Sequence, residues 1–244
     1  MLLDLFRSRK LQKLPWKTDI HCHVVPGVDD GSPSAEKSVE LLSHMADWGL
    51  ERIFASPHST LDVFENTPQT IAGPFAALKA AAAEAGLSLE LEHHFEYRID
   101  EFFLRQVEAG NLKPLPGNRL LIENPFFNEP WGLDGVVYEL QSKGYDLILA
   151  HPERYRYYSE SHRNRYFELH ERGVRLQINL LSLAGHYGKT EREVAQWMLR
   201  EGLVDFIGTD LHRMSHVESI ERYLRSSQFT RDLKHLDKLQ NDSI

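Results

Sequence analysis

Asp19-Ile20-His21-Cys22-His23 sets two imidazoles one residue apart at the end of an apolar run, and its reading decides the fold. On a β-strand alternate side chains share a face, so His21 and His23 project together while Cys22 points away. Two such histidines make a pincer for one cation, and Cys22 reads as a small packed side chain. Pro26-Gly27-Val28-Asp29-Asp30-Gly31 follows, a glycine-flanked turn from which a carboxylate can fold back. Turn chemistry and N-capping of the next helix would account for both aspartates. Ser32 or Ser34 can supply that cap, which frees one aspartate; Asp30 is taken as the ligand.

The same device recurs downstream. His58 follows Ile53-Phe54-Ala55-Ser56-Pro57, His151 follows Leu147-Ile148-Leu149-Ala150, and Asp210 and His212 follow Phe206-Ile207-Gly208-Thr209. Glu92, His94 and Glu96 alternate on one strand face, and Glu96 is chosen as the nearest to the strand end. Glu123 closes Leu120-Leu121-Ile122, where a buried carboxylate is costly unless paired or metal-bound. His44, His162, His170 and His235 read as solvated, His93 as facing away from Glu96, and His186 and His216 as loop residues.

Strand-like runs at 18–21, 52–56, 87–96, 120–123, 146–150, 175–179 and 204–208 alternate with helical patterns at 35–48, 71–85, 100–109, 134–143, 162–172 and 191–201. Most of the helical patterns stop at a glycine, a common C-cap. This alternation implies an α/β protein with mostly parallel strands. A barrel gathers its strand ends around one mouth, whereas an open sheet spreads them along a line. The expectation is therefore a distorted seven-stranded (βα) barrel. One domain spans 1–244, with an N-terminal extension at 1–16 and a loosely held polar tail at 229–244.

Composition agrees. A chain of 244 residues that is 41% apolar can bury a sizeable core, and a formal charge of −8 argues against binding nucleic acid across the whole surface. One cysteine excludes an internal disulfide framework and fits a reducing cytosol. No apolar run approaches the ~18 residues of a membrane span. Met1-Leu2-Leu3-Asp4-Leu5-Phe6 is too short and too charged for a secretory segment, with Arg7, Arg9 and Lys10 after it and not before. It reads as a short docked helix.

These motifs, with Ser56-Pro57-His58, Glu96-Tyr97, His151-Pro152-Glu153-Arg154-Tyr155 and Gly208-Thr209-Asp210-Leu211-His212, resemble the polymerase and histidinol phosphatase (PHP) superfamily. Within it they look most like the bacterial manganese-dependent protein tyrosine phosphatases of capsule and exopolysaccharide biosynthesis. The resemblance runs in order from about Lys17 to His212. It implies a PHP-type barrel with three divalent ions in its mouth. The first would be held by His21, His23, Glu96 and Asp210. The second would use Glu96 as a bridge with Glu123 and His151, and the third would take Asp30, His58 and His212. Arg154 would meet the substrate phosphate. The chain departs from the pattern at Arg213-Met214-Ser215-His216, where Arg213 becomes the candidate second phosphate contact, at Asn124, where an aromatic is common, and at Glu92-His93-His94-Phe95. The implied substrate is phosphotyrosine on a bacterial tyrosine kinase that regulates polysaccharide export. The implied location is the cytoplasm, at the inner membrane face where that substrate lies; an oligomer is compatible with all of this.

Such a centre, with three divalent ions and a hydroxide, carries a net charge of about +1 and suits a phosphate dianion. The expected chemistry is in-line attack by metal-activated water without a covalent phosphoenzyme. Val28 stands where a Cys-x5-Arg loop would need its arginine, so Cys22 is no phosphatase nucleophile. A phenolate leaving group needs little acid help, which His212 or a metal-bound water could give. Imidazole with carboxylate suits manganese, iron or zinc; the resemblance implies manganese. Rival readings are a small-molecule phosphatase such as one for histidinol phosphate, an amidohydrolase, and a non-catalytic scaffold. Glutamates stand on the middle strands where an amidohydrolase often carries a bridging lysine.

Overall fold

The computed structural model describes residues 10–159, 163–236 and 238–244. The expected docked helix at 1–6, Arg7, Arg9 and His162 lie outside the described residues. From Lys10 the chain is irregular, with Leu14 and Trp16 buried, and leads into β1 (Thr18–Asp19). α1 (Ala35–Asp47) starts at Ser34, whose hydroxyl accepts from Lys37 N, and buries Leu41, Leu42 and Met45. After β2 (Arg52–Ala55) comes Pro57, which has no N–H to give a ladder, and the chain bends into β3 (His58–Thr60) and β4 (Phe64–Glu65). α2 (Pro68–Glu84) begins earlier than its apolar spacing implied, because Thr67 and Thr70 form a reciprocal capping box around Pro68.

The expected strand at 87–96 is two strands, β5 (Glu90–His93) and β6 (Glu96–Arg98), separated by His94-Phe95. α3 (Glu101–Ala109), β7 (Arg119–Glu123), α4 (Leu133–Ser142) and β8 (Asp146–Ala150) follow. Beyond a single 3-10 turn come α5 (Arg156–Ser159), α6 (Asn164–Glu171), β9 (Arg175–Asn179), α7 (Leu180–Leu183) and α8 (Lys189–Glu201). β10 (Phe206–Gly208), α9 (Met214–Leu224) and α10 (Ser227–Asp232) complete the regular structure.

The strands form two ladders in place of the one closed seven-stranded ladder expected. A small parallel sheet has the order β1-β2-β5, and a larger one the order β10-β9-β8-β7-β6-β3-β4. Every pairing is parallel except β3 with β4. The bends at Ser56-Pro57 and His94-Phe95 carry two neighbouring chains from one sheet to the other, and His94 N donates to Ala55 O (3.0 Å) and Glu96 N to Pro57 O (3.2 Å). On the opposite side, Asp210 N donates to His21 O (2.7 Å) and His23 N to Leu211 O (2.9 Å). Asp19 strengthens that seam by accepting from Thr209 N and Thr209 Oγ1.

Strand residues alternate between two apolar clusters, as a period of two requires. On β7 and β8, Leu120, Ile122, Leu147 and Leu149 pack with the helices, whereas Leu121 and Ile148 join Ile20, Phe54, Phe206 and Ile244. No described helix is long and apolar enough to cross a membrane.

The expectation of a loose tail is wrong. Phe229 and Asn241 are fully buried. Asn241 Nδ2 donates to Thr18 O (3.0 Å) and Ile207 O (2.8 Å) while its Oδ1 accepts from Ile207 N (3.1 Å). Asp242 Oδ1 accepts from Lys17 N and Thr18 N. β1 and β10 are the edges of their sheets, so their backbone groups have no ladder partner on that side, and polar tail side chains satisfy them. Asn241→Ala strips partners from three buried backbone groups and is expected to lower stability by roughly 2–4 kcal/mol in urea unfolding. A loss below about 0.5 kcal/mol would show that the tail does not clasp these edges.

Candidate metal centre

All nine expected ligands converge at the C-terminal ends of the strands. His21 Nε2 and His23 Nε2 lie 3.3 Å apart. Glu96 Oε2 is 3.3 Å from the first and 3.4 Å from the second, and Asp210 Oδ1 is 3.6 Å from both. Glu96 Oε1 lies 2.7 Å from His151 Nε2, which is 3.6 Å from Glu123 Oε1. Asp30 Oδ1 stands 3.5 Å from both His58 Nε2 and His212 Nε2. The members of the three sets implied by the resemblance thus lie beside one another in a single cluster. Groups whose donor atoms all lie within 4.8 Å of one another cut across those sets, including His23 with Asp30, His58 and His212, and His21 with His151 and Asp210.

Register explains the crowding. His58 and Glu96 are direct partners across β3 and β6, and Arg98 pairs with Glu123 across β6 and β7. Two glycines let the backbone close on the paired histidines. A Cβ on Gly31 would lie 2.2 Å from His23 O, and one on Gly208 would lie 2.5 Å from His21 Cβ. His151 (φ 35°) and Asp210 (φ 51°) both hold left-handed backbone, a strained conformation for residues with a side chain.

Residues not singled out from the sequence aim the ligands. His21 Nδ1 meets Gln177 Oε1 at 2.7 Å, His23 Nδ1 meets Asp29 Oδ2 at 2.8 Å, and His212 Nδ1 meets Asp210 O at 2.9 Å. Each partner only accepts, so each Nδ1 carries a proton, and in the neutral imidazole Nε2 is the nitrogen that would offer its lone pair to a cation. Asp29 is therefore the orienting aspartate, bonded also by Gly31 N and His58 N, and Asp30 is the one turned into the pocket. The period-two signal Gln177-Ile178-Asn179 at a strand end could have revealed the first of these partners.

These lone pairs test whether cations fit. Glu96 Oε2 is buried and makes no hydrogen bond, although His58 Nδ1 lies 3.0 Å from it and the Nε2 atoms of His21 and His23 lie 3.3 and 3.4 Å away. Lone pairs facing one another in a dry site are unfavourable unless a cation lies between them. Five imidazoles with four carboxylates, two of them glutamates on adjoining strands, are a donor set suited to divalent metals. The electrostatics agree. Burial and the neighbouring Glu96 push Glu123 up to about 7. Burial also opposes ionisation of Glu96, but His21, His58 and His151 outweigh it and hold its carboxyl well below the usual range. Burial and Arg154 push His151 down to about 4, which keeps it neutral for ligation.

A cavity of about 340 Å³ opens onto the cluster, and both Arg154 and Arg213 line it. Arg154 Nη1 donates to Asp210 Oδ2 (3.1 Å), and its Cζ lies 4.8 Å from the Phe126 ring centre and 4.2 Å from that of Tyr187. Asp210 Oδ2 also accepts from Asn179 Nδ2 (2.5 Å) and Tyr187 OH (3.0 Å), which turns Oδ1 toward His21 and His23. Arg213 is exposed, immediately before α9.

The other histidines agree with expectation at His93, His186 and His235 and depart from it at His216, His44 and His170. His216 sits in the first turns of α9, buried, with Nδ1 accepting from His212 N; His186 lines the cavity and bonds Ser219 Oγ. His44 pairs with Glu221 and His170 with Asp205, while His235 is exposed. His93 packs on Phe75, outside the cluster, and His94 Nε2 bonds Ile20 O. Cys22 is buried in the apolar core.

Strand-end imidazoles and carboxylates around one cavity on a mostly parallel α/β frame define a class of protein built to bind divalent metals. More narrowly, residues 17–228 match the family described as capsular polysaccharide synthesis, CpsB/CapC, and the chain belongs to it. It is 31% identical over 197 residues to the tyrosine-protein phosphatase YwqE of Bacillus subtilis (strain 168), covering 80% of this chain and 77% of that protein. It is 28% identical over 204 residues to the tyrosine-protein phosphatase CpsB of Streptococcus pneumoniae, covering 80% and 83%. Among solved structures, it superposes with a TM-score of 0.77 on one from a study of YwqE and CpsB as metal-dependent tyrosine phosphatases, at 28% identity over 93% of this chain and 95% of that one. A phosphotriesterase homology protein from Escherichia coli shares the fold at a TM-score of 0.54 and 12% identity, covering 96% and 97%.

Asp29→Asn and Gln177→Leu are expected to weaken divalent-cation binding by about 10–100-fold while leaving every proposed ligand in place. Isothermal titration of metal-free protein with Mn²⁺ measures this; unchanged affinity in both variants would refute the orienting role.

Proposed function

We propose that this protein hydrolyses phosphotyrosine in a protein substrate, using divalent cations held by the nine convergent side chains. The carrying observation is the convergence of five imidazoles, three of them oriented through Nδ1, on Glu96 and its neighbouring carboxylates beside Arg154. The family membership and the phosphatase relatives support the same reading. Three ions would be held in the sets given above, within a frame best read as one distorted seven-stranded PHP-type barrel with bends where its sheets divide. Manganese is the proposed ion. The proposed substrate is a bacterial tyrosine kinase of polysaccharide export, met in the cytoplasm at the membrane face.

When bound, the ions lower the pKa of water and neutralise phosphoryl charge. The remaining work falls to the chain. Arg154 offers a planar fork of donors to the non-bridging oxygens, and Arg213 stands at the open side of the cavity to add charge. His212 presents Nε2 beside Asp30, so its proposed role is that of ligand more than proton donor. The Phe126 and Tyr187 rings give the cavity an apolar wall that suits a phenyl group.

Arg154→Ala is expected to lower kcat/KM on a phosphotyrosine peptide at least tenfold with metal content unchanged. His21→Ala should lose metal and activity together. Faster turnover of histidinol phosphate than of the peptide by the metal-loaded protein would replace this reading with a small-molecule phosphatase. Because Cys22 lies in the core and no thiol chemistry is invoked, Cys22→Ala should keep turnover within about threefold; abolished turnover in folded, metal-loaded protein would demand a thiol route.

A further inference from the structure

A phosphate-binding arginine works only if its fork is held toward the cavity before the substrate arrives. A free arginine samples many rotamers, and capturing an anion with it sacrifices that freedom. Arg154 is not free. Its Cζ sits 4.2 Å from the Tyr187 ring centre and 4.8 Å from that of Phe126, and both contacts fall within cation–π range. Among the described residues its guanidinium makes one hydrogen bond, from Nη1 to Asp210 Oδ2. Tyr187 OH donates to that same oxygen. The tyrosine thus touches the arginine through its ring and the arginine's carboxylate partner through its hydroxyl.

The two partners come from separately pinned turns. Arg154 ends the 3-10 turn Pro152–Arg154, with its N–H on His151 O (2.9 Å). Tyr187 lies between α7 and α8, where His186 N donates to Leu181 O (3.0 Å) and Gly188 N to Gly185 O (3.3 Å). Neither turn has to move for the stack to form, so the geometry is preorganised.

We propose that Tyr187 is a positioning residue for phosphate recognition: its ring holds the Arg154 guanidinium facing the cavity, and its hydroxyl locks Asp210 behind it. This rests on the reading of Arg154 as the phosphate contact. Tyr187 acts through Arg154, and its loss weakens capture of phosphate before it touches the metals.

The test uses manganese-loaded protein and inorganic phosphate as probe, titrated calorimetrically in wild type, Tyr187→Ala, Tyr187→Phe, Arg154→Ala and the Tyr187→Ala/Arg154→Ala double variant. Tyr187→Ala is expected to weaken phosphate binding about tenfold with manganese content unchanged, and Tyr187→Phe to stay within about threefold. In the Arg154→Ala background, removing Tyr187 should add nothing. On a phosphotyrosine peptide the Tyr187→Ala loss should appear in KM more than in kcat. A readout without metal or turnover is the Arg154 Nε–Hε resonance of the metal-free protein, expected to be sharp in wild type and Tyr187→Phe and averaged in Tyr187→Ala. Equal losses in the two arginine backgrounds, or loss of manganese from Tyr187→Ala, overturn the proposal. Wild type that binds phosphate but hydrolyses no phosphotyrosine would overturn the phosphatase reading alone, since the phosphate cycle reads binding and not chemistry.

Discussion

The crowding of four imidazoles around the buried Glu96 carboxylate is the constraint on which the rest of the structure depends. One carboxylate touches His21, His23, His58 and His151, and its Oε2 makes no hydrogen bond. Burying so many ionisable groups together is costly, because each of them loses water. Cations placed among these groups would offset that cost. The features surrounding Glu96 serve to keep that cost from relaxing away. Gln177, Asp29 and the Asp210 carbonyl fix three tautomers, and Gly31 and Gly208 let the backbone press against the paired histidines.

The bends in the sheet belong to the same logic. A regular strand would carry side chains on past the mouth at 3.3 Å per residue. Breaking the second and third strands at Pro57 and at His94-Phe95 moves His58 and Glu96 into the larger sheet, where they stand side by side. The seam between β1 and the end of β10, clasped by Asp19 to Thr209, does the equivalent for His21 and Asp210. Positive φ at His151 and Asp210 completes the inward turn. Strain here falls on ligand positions, where placement matters more than backbone comfort.

The membership of the cluster was legible in the sequence because most of its side chains end apolar runs, and period-two spacing says which way His21 and His23 point. The helices were legible to within a few residues where caps and glycines mark them. Three things were hidden. The split of the strand at 87–96 depends on which neighbours it pairs with, which no local pattern records. The tail at 229–244 reads as solvated because Asn241 and Asp242 are polar, and only the unpaired edges of β1 and β10 give those groups a reason to be buried. The orienting residues were harder to see: Gln177 is marked only by its period-two spacing with Asn179, and Asp29 reads as ordinary turn chemistry.

An acidic chain that captures an anion must reverse its own field locally, and the turn after β8 shows how. Glu153 is buried, with its carboxyl pushed up to about 7 by that burial, and Oε1 accepts from Asn179 N (2.9 Å). Asn179 in turn donates to Asp210 Oδ2, and the neighbouring Arg154 donates to the same oxygen. One short turn therefore grips a carboxylate of the cluster twice, once through β9 and once directly. The result is that Asp210 spends Oδ2 on protein donors and leaves Oδ1 for the cluster, while the arginine held against it brings fixed positive charge to the cavity wall. Cations bound by the nine side chains would add to that charge over a distance far shorter than the ~10 Å at which salt screens. The net charge of −8 spread over the whole surface does not set the field inside this pocket; the few ångströms around Glu96, Asp210 and Arg154 do.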